Sequence, residues 1–191
     1  MWISVLRKPD VPQYAYHQFL WQYFPDLDNT DAPRPFLFRV LGESILMLSR
    51  LKPATQHAVE IKDRLVPGTV YQFDLLANPA RGGTITLEDG TKKRVPRKSY
   101  KGNQERKDWL RRRFEDAGAD LTLVQVYDRP QRRFRKADGR QIVIDDVIYR
   151  GTLKVTDRSL FADKLLQGFG GRGAWGCGLL VLPEVMSGFG H

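Results

Sequence analysis

The chain has 191 residues, 41% hydrophobic and 11% aromatic, which is the make-up of a globular protein able to bury a core as one large domain or two small ones. No run approaches the roughly 18 apolar residues of a membrane helix, the N-terminus lacks a signal peptide's apolar stretch, and the single Cys177 excludes an intrachain disulfide framework and a cysteine-based zinc site, so a cytoplasmic setting is expected. A formal net charge of +9 favours polyanions, nucleic acid first, with acidic membranes or proteins as alternatives.

In chain order, residues 2–8 alternate as a short strand. Pro12 opens an aromatic helix that runs to about Phe24 and is stopped by Pro25. Phe36–Leu41 and Ile45–Ser49, around Gly42-Glu43, predict a hairpin. Residues 54–66 have no clear period and suit a weak helix, and Val70–Leu76 is a further strand. Strand, helix, strand, strand, helix, strand is the ferredoxin-like pattern. Gly82-Gly83 and Asp89-Gly90 mark a linker, which divides the chain into domains 1–85 and 86–191. Beyond it come a charged helix over 103–116, with apolar Trp109, Leu110 and Phe114, and two long strands over 121–135 and 141–156 joined at Asp138-Gly139. A helix over 159–167, with Asp157 or Ser159 as N-cap, leads into a glycine-rich run over 168–178 and a last strand over 179–182. The fold class is α+β.

Within the first helix, Tyr16, Phe19, Leu20 and Tyr23 share one face, the natural core stripe, whereas Tyr14, His17 and Trp21 lie on another. His17 reads either as a boundary histidine or as a general acid/base with a phenol one turn before it; imidazole both takes and gives protons near neutrality. RNA cleavage by the 2′-hydroxyl needs little more than proton transfer and stabilisation of the phosphorane. No metal or cofactor is expected. Asp26, Asp28 and Asp31 resemble a calcium loop, but Asp31 stands where glycine is needed, so these and Asp145-Asp146 read as solvated loops.

Gly168-Phe169-Gly170-Gly171-Arg172-Gly173 matches G-x-G-x-x-G only formally, because it follows a helix and opens a strand. It reads as a flexible connector or as a loop that brings backbone close to phosphates. Basic residues crowd 91–113, including Arg94, Arg97 and Lys98, and flank the second hairpin as Arg129, Arg132, Arg133, Arg135, Lys136 and Arg140. Such a strand pair is either a charge-protected edge or a surface for the phosphates of a helical RNA.

The run His17-Gln18-Phe19-Leu20-Trp21-Gln22-Tyr23-Phe24-Pro25, then Phe36-Leu37-Phe38-Arg39, Ala77-Asn78-Pro79, Arg94-Val95-Pro96 and Trp109-Leu110 resemble motifs of the CasE family, as do Gly168, Gly170 and Gly176-Cys177-Gly178-Leu179-Leu180. That family comprises the guide-RNA-processing endoribonucleases of type I-E CRISPR systems, and the likeness covers nearly the whole chain. It implies tandem ferredoxin-like (RRM-like) domains that bind the stem-loop of CRISPR repeat RNA and cut at the 3′ base of the stem, leaving a 2′,3′-cyclic phosphate and a 5′-hydroxyl. It also implies retention of the product within Cascade beside other subunits. His17 falls on the family's catalytic histidine, with Tyr14 as a second candidate, and Gly170, Gly171, Arg172 and Gly173 fall in its RNA-contacting loop. Two departures stand out. Gly173 occupies the place of a common loop lysine, for which neighbouring Arg172 is the expected substitute, and Leu76 stands where an arginine precedes Ala-Asn-Pro. The alternative expectation is a non-catalytic scaffold that holds an RNA hairpin.

Overall fold

Four antiparallel strands form the first sheet: β1 (Trp2–Arg7), β2 (Phe36–Leu41), β3 (Ser44–Ser49) and β4 (Ala58–Glu60), in the order β2-β3-β1-β4. The computed structural model describes residues 1–27, 33–61, 64–82, 84–94, 98–135 and 139–186. β2 and β3 pair from Phe36↔Ser49 to Leu41↔Ser44, the hairpin expected around Gly42-Glu43. Both strands are apolar on both faces because both faces are covered. Phe36, Phe38, Ile45 and Met47 pack under the N-terminal helical segment, while Leu37, Leu46 and Leu48 join the core of the other half of the molecule.

The N-terminal segment is less regular than its aromatic periodicity predicts. A 3-10 turn (Gln13–Ala15), one α-helical turn α1 (Tyr16–Leu20) and a second 3-10 turn (Trp21–Tyr23) follow one another. Aromatic residues are mediocre helix formers, and a piece this short is held by tertiary packing rather than by propensity. Tyr16, Leu20 and Phe24 supply that packing, with Phe24 stacked on Phe36 at 5.5 Å between ring centroids. Of the expected stripe, Phe19 and Tyr23 are only partly buried and meet edge to face.

Among the described residues of 54–66 there is no helix. Ala58–Glu60 instead pairs with β1 and completes the first sheet, which displaces the strand expected to do so. That strand, β5 (Val70–Ala77), belongs to the second sheet. Two short ribbons follow: β6 (Ala80–Arg81) pairs with β9 (Lys98–Ser99), and β7 (Thr84–Thr86) with β8 (Lys92–Arg94). Helix α2 (Asn103–Glu115) then leads into β10 (Ala119–Asp128). The long strand pair expected over 121–156 is broken in two. Arg132–Arg135 (β11) and Gln141–Ile144 (β12) form a separate ribbon, and Val147–Val155 (β13) pairs with β10 and β5. Pro130 has no N–H for the ladder, and the Asn78 amide takes the Asp145 carbonyl, so neither long strand continues. Helix α3 (Arg158–Gln167) is capped by Asp157, which accepts from the Leu160 N–H at 3.0 Å, and β14 (Leu180–Val181) and α4 (Pro183–Met186) close the chain.

The second sheet has the order β10-β13-β5-β14, so both sheets share the ferredoxin-like order of their four strands. The two sheets meet through a common core and through one buried ion pair. Arg39 of β2 donates to the Asp74 backbone oxygen at 3.1 Å and sits 2.5 Å from its carboxylate, which Arg150 also holds at 2.8 Å. Among the described residues, no helix is long and apolar enough to cross a membrane.

Removing one partner of a buried pair leaves the other charge stranded, but Asp74 keeps Arg150. Arg39→Ala is therefore expected to cost about 2 kcal/mol, lowering Tm by roughly 4–8 °C in a chain of this size. Calorimetry reads the loss, which should exceed that of Arg150→Ala on the exposed side of the same carboxylate.

Candidate functional site

His17 lies in α1, half-buried at the edge of the packed face, with Tyr16 and Leu20 turned into the core on either side. Its Nδ1 donates to the Tyr14 carbonyl oxygen at 3.0 Å. A carbonyl only accepts, so this contact keeps the proton of the neutral ring on Nδ1 and the lone pair on Nε2. Tyr14 thus orients the imidazole through its backbone. Its phenol lies one turn earlier on the half-buried part of the same segment.

The glycine-rich run reaches this helix. After α3 the chain passes Gly168 and Phe169, both buried, then turns at Gly173–Trp175, a 3-10 turn packed against Gln13–Ala15, α1 and β2. Gly170 has φ +93°, and a Cβ there would stand 3.0 Å from the Trp109 ring, so glycine is required by conformation and space together. Gly171 forms a β-bridge with Asn78. Arg172 is exposed and adopts φ 67°, the only left-handed non-glycine among the described residues. An arginine held there costs roughly 1 kcal/mol, and the Arg172 carbonyl is pinned by the Trp175 N–H at 2.9 Å. The loop is therefore ordered and strained rather than a slack connector.

What holds it is a carboxylate. Asp146, read from the sequence as a solvated loop residue, is 1% exposed and corrects that expectation. It takes Arg132 through Nε at 2.8 Å and through Nη2, faces Arg129 at 4.0 Å, and accepts from the Cys177 thiol at 3.6 Å. Arg132 also donates to the Trp175 carbonyl at 3.2 Å and touches Cys177 Sγ at 3.3 Å. Arg132, expected on RNA, is thus committed to the fold, and Arg129 partly so. Asp145 is likewise engaged, by Lys101. Beneath this clamp, Leu76, Ile144 and Cys177 pack with Phe134 and Trp175, whose rings lie 4.8 Å apart. Leu76, which replaces an expected arginine, therefore serves the ribbon's core.

The remaining basic candidates divide by strand alternation. Arg133 and Arg135 are exposed on the outer face of β11, opposite Arg132 and Phe134. Arg140 and Lys98 are exposed. Arg94 lies in β8, while Arg97 and Lys136 fall outside the described residues, as do Asp28, Asp31, Val95, Pro96 and Asp138. In α2, Arg106 turns inward, donating to the Tyr100 carbonyl at 3.0 Å and to Asp128 at 2.6 Å. Among the described residues no three His, Cys, Asp or Glu side chains converge as a metal site.

Two cationic features escape sequence reading. A cleft of about 290 Å³ opens on the other side of the loop, between Asn78, Trp109, Arg113, Lys164, Gly170 and Gly171. Burial and the nearby Arg113 lower the Lys164 pKa from its ordinary value. Arg34, between two prolines just before β2, lies over the Phe36 ring at 5.6 Å with its tip beside Gly173. Single basic residues without a period give no signal in a sequence.

Two ferredoxin-like sheets, with the glycine loop of the second half packed on the histidine-bearing helix of the first, define a tandem-domain protein. The chain belongs to the CasE family of CRISPR-associated proteins: the family model described as CRISPR associated protein matches residues 7–183. It is 32% identical to the CRISPR system Cascade subunit CasE of Escherichia coli strain K12, over 90% of this chain and 92% of that one. The crystal structure of Cas6e from Escherichia coli K-12 superposes with a TM-score of 0.71 at 29% identity, covering 95% of this chain and 98% of that one. A structure of the CRISPR endoribonuclease Cse3 bound to a 19-nucleotide RNA gives 0.74 at 24% identity, covering 95% and 99%.

Burial and the Asp146 carboxylate push the Cys177 thiol up to about 12. Because the fold favours the neutral thiol, this contribution to stability is whole below the ordinary thiol pKa and fades as pH rises from there towards about 12. Native protein at pH 8 should resist a thiol reagent that labels it at once in guanidinium. Asp146→Ala, by stranding Arg132 and loosening the loop, should cost about 3–5 kcal/mol and unmask the thiol.

Proposed function

We propose that this chain is the endoribonuclease that matures CRISPR RNA within Cascade, binding the stem-loop of the repeat transcript and cutting at the 3′ base of the stem without metal. The observation that carries the reading is the packing of the Gly173–Trp175 turn on the helix that bears His17, whose imidazole is oriented by the Tyr14 carbonyl. Family membership, and the naming of the Escherichia coli relative as a Cascade subunit, support the same conclusion.

The chemistry follows from the tautomer. Nε2 of His17 takes the proton of the 2′-hydroxyl as O2′ forms its bond to phosphorus, and the P–O5′ bond breaks. The departing O5′ receives one proton, and imidazole returns to its starting state. The products are a 2′,3′-cyclic phosphate and a 5′-hydroxyl. Negative charge gathers on the nonbridging oxygens meanwhile, where cationic side chains and loop N–H groups lower the barrier. The Tyr14 phenol is the second proton-carrying group of the site, and the Tyr14 carbonyl serves His17 whatever the phenol does. Arg133 and Arg135, on the outer face of the ribbon, suit the phosphates of the stem, with Arg172, Lys98 and Arg140 extending the grip.

A labelled repeat hairpin incubated in EDTA tests the proposal. Wild type should cleave it, and His17→Ala should lose about 10²–10⁴-fold in rate while still binding. Tyr14→Phe, which keeps the carbonyl, should lose about tenfold, a small part of a general acid–base contribution. Tight binding without cleavage by wild type would favour the scaffold reading, and cleavage that stops in EDTA would remove the metal-free mechanism.

Arginine-to-alanine changes on the ribbon should separate grip from structure. Arg133→Ala and Arg135→Ala are each expected to weaken hairpin binding and to reduce the slope of log affinity against log salt by about 1. Arg132→Ala should act mainly on Tm. Equal affinity across the first two variants would take the ribbon out of the interface.

A further inference from the structure

We infer that Arg34 is the cation that meets the phosphate at the cleavage point, reaching it from beneath the loop through the space a side chain at position 173 would occupy. This rests on the reading of the site as an endoribonuclease. The Arg34 Nε is buried without a hydrogen-bond partner, and among the described residues no ion pair to a carboxylate is formed by its guanidinium, which rests on the Phe36 ring. Among the described residues, every other arginine buried as much or more is paired: Arg39 with Asp74, Arg106 with Asp128, Arg132 with Asp146. Burial alone lowers the Arg34 pKa, with no compensating anion. A guanidinium cannot discharge itself by losing a proton at working pH, so the fold carries a cation whose natural complement is an anion supplied from outside.

Its position says which anion. Nη2 lies where a Cβ on Gly173 would be, so the tip of Arg34 is at the turn that packs on Gln13–Ala15 and α1. Phe36, on which Arg34 rests, also meets Trp21 edge to face at 5.7 Å, tying the cation to the end of the His17 segment. Gly173 is not among the positive-φ glycines, so its backbone admits any residue. What excludes a side chain there is Arg34. Arg172, by contrast, is exposed.

The test combines a cleavable hairpin, an uncleavable one with a 2′-deoxy sugar at the cut, and the same uncleavable hairpin with a neutral methylphosphonate at that linkage. Arg34→Gln should lower the single-turnover rate about 100-fold, the loss of one donor to the developing charge. It should weaken binding of the 2′-deoxy hairpin about tenfold, in keeping with a hydrogen bond to a charged group. Neutralising the linkage should weaken wild-type binding by the same factor and Arg34→Gln no further. Gly173→Lys should be impaired by displacing Arg34, whereas Arg34→Ala combined with Gly173→Lys should recover a good part of the rate lost in Arg34→Ala. Because the replaced cation has no internal partner, Tm should hold. Cleavage by Arg34→Gln within about threefold of wild type, a methylphosphonate penalty equal in both proteins, or a fall in Tm of more than about 10 °C would overturn the assignment. If wild type cuts no hairpin at all, the endoribonuclease reading fails while the methylphosphonate comparison still decides whether Arg34 holds that phosphate.

Discussion

The site depends on a single buried carboxylate. Asp146 sits between β12 and β13, where the strand pair would otherwise run on, and it draws Arg132, Arg129 and the Cys177 thiol toward itself. Arg132 passes that hold on to the Trp175 carbonyl, and so to the turn that packs on α1. The ribbon β11–β12 and the glycine loop are thus tied by one charge cluster, and the turn it holds packs in turn on the histidine-bearing helix, itself seated by Tyr16, Leu20 and Phe24. Desolvating a carboxylate is expensive, and two arginines with a protonated thiol around it are what make the arrangement tolerable. The same geometry lets Arg172 persist in a left-handed conformation, because the loop on either side of it is over-determined.

Net charge gives only a loose account of how such a protein meets a polyanion. The surplus of +9 suggests a broad basic surface, yet part of the arginine is consumed inside the fold. Arg39 ties the two sheets, Arg106 anchors α2 to the end of β10, and Arg132 serves the clamp. Strand alternation does the sorting on β11: Arg133 and Arg135 face out because Arg132 and Phe134 face in. The outward arginines are held firmly in place, since they stand on a strand whose inward neighbours are locked.

Much of the architecture was legible because its signals are local. The Phe36–Leu41 and Ser44–Ser49 hairpin, α2, and the capped α3 appear where period and punctuation put them. What could not be read was partnership at a distance. Val70–Ala77 has the pattern of a strand whichever sheet it joins, and only the pairing of Ala58–Glu60 with β1 decides that it goes to the second. The same limit applies to charge. Asp146 looks like any loop aspartate until Arg132, fourteen residues earlier, is folded onto it. His17 was visible as a histidine off the apolar stripe, but the hydrogen bond that selects its tautomer depends on the 3-10 turn carrying Tyr14, which a regular helical projection does not foresee.

The division of labour between the two halves explains why the seam matters more than either half. On the proposed reading, the first sheet and its helix carry His17, the proton-transferring group of that proposal; the second sheet supplies the loop, the clamp and the outward arginines. The first sheet is buried on both faces, by α1 on one side and by the core of the second half on the other, so the two halves cannot slide without disrupting packed side chains. An imidazole on a short, aromatic, weakly helical segment would be poorly fixed if it stood alone. The segment itself packs on Phe36 through Phe24 and lies against the Gly173–Trp175 turn, so the contacts that hold it also position the loop. Because proton transfer needs placement to within a fraction of an ångström, a site assembled across a rigid seam answers the demand that neither domain meets on its own.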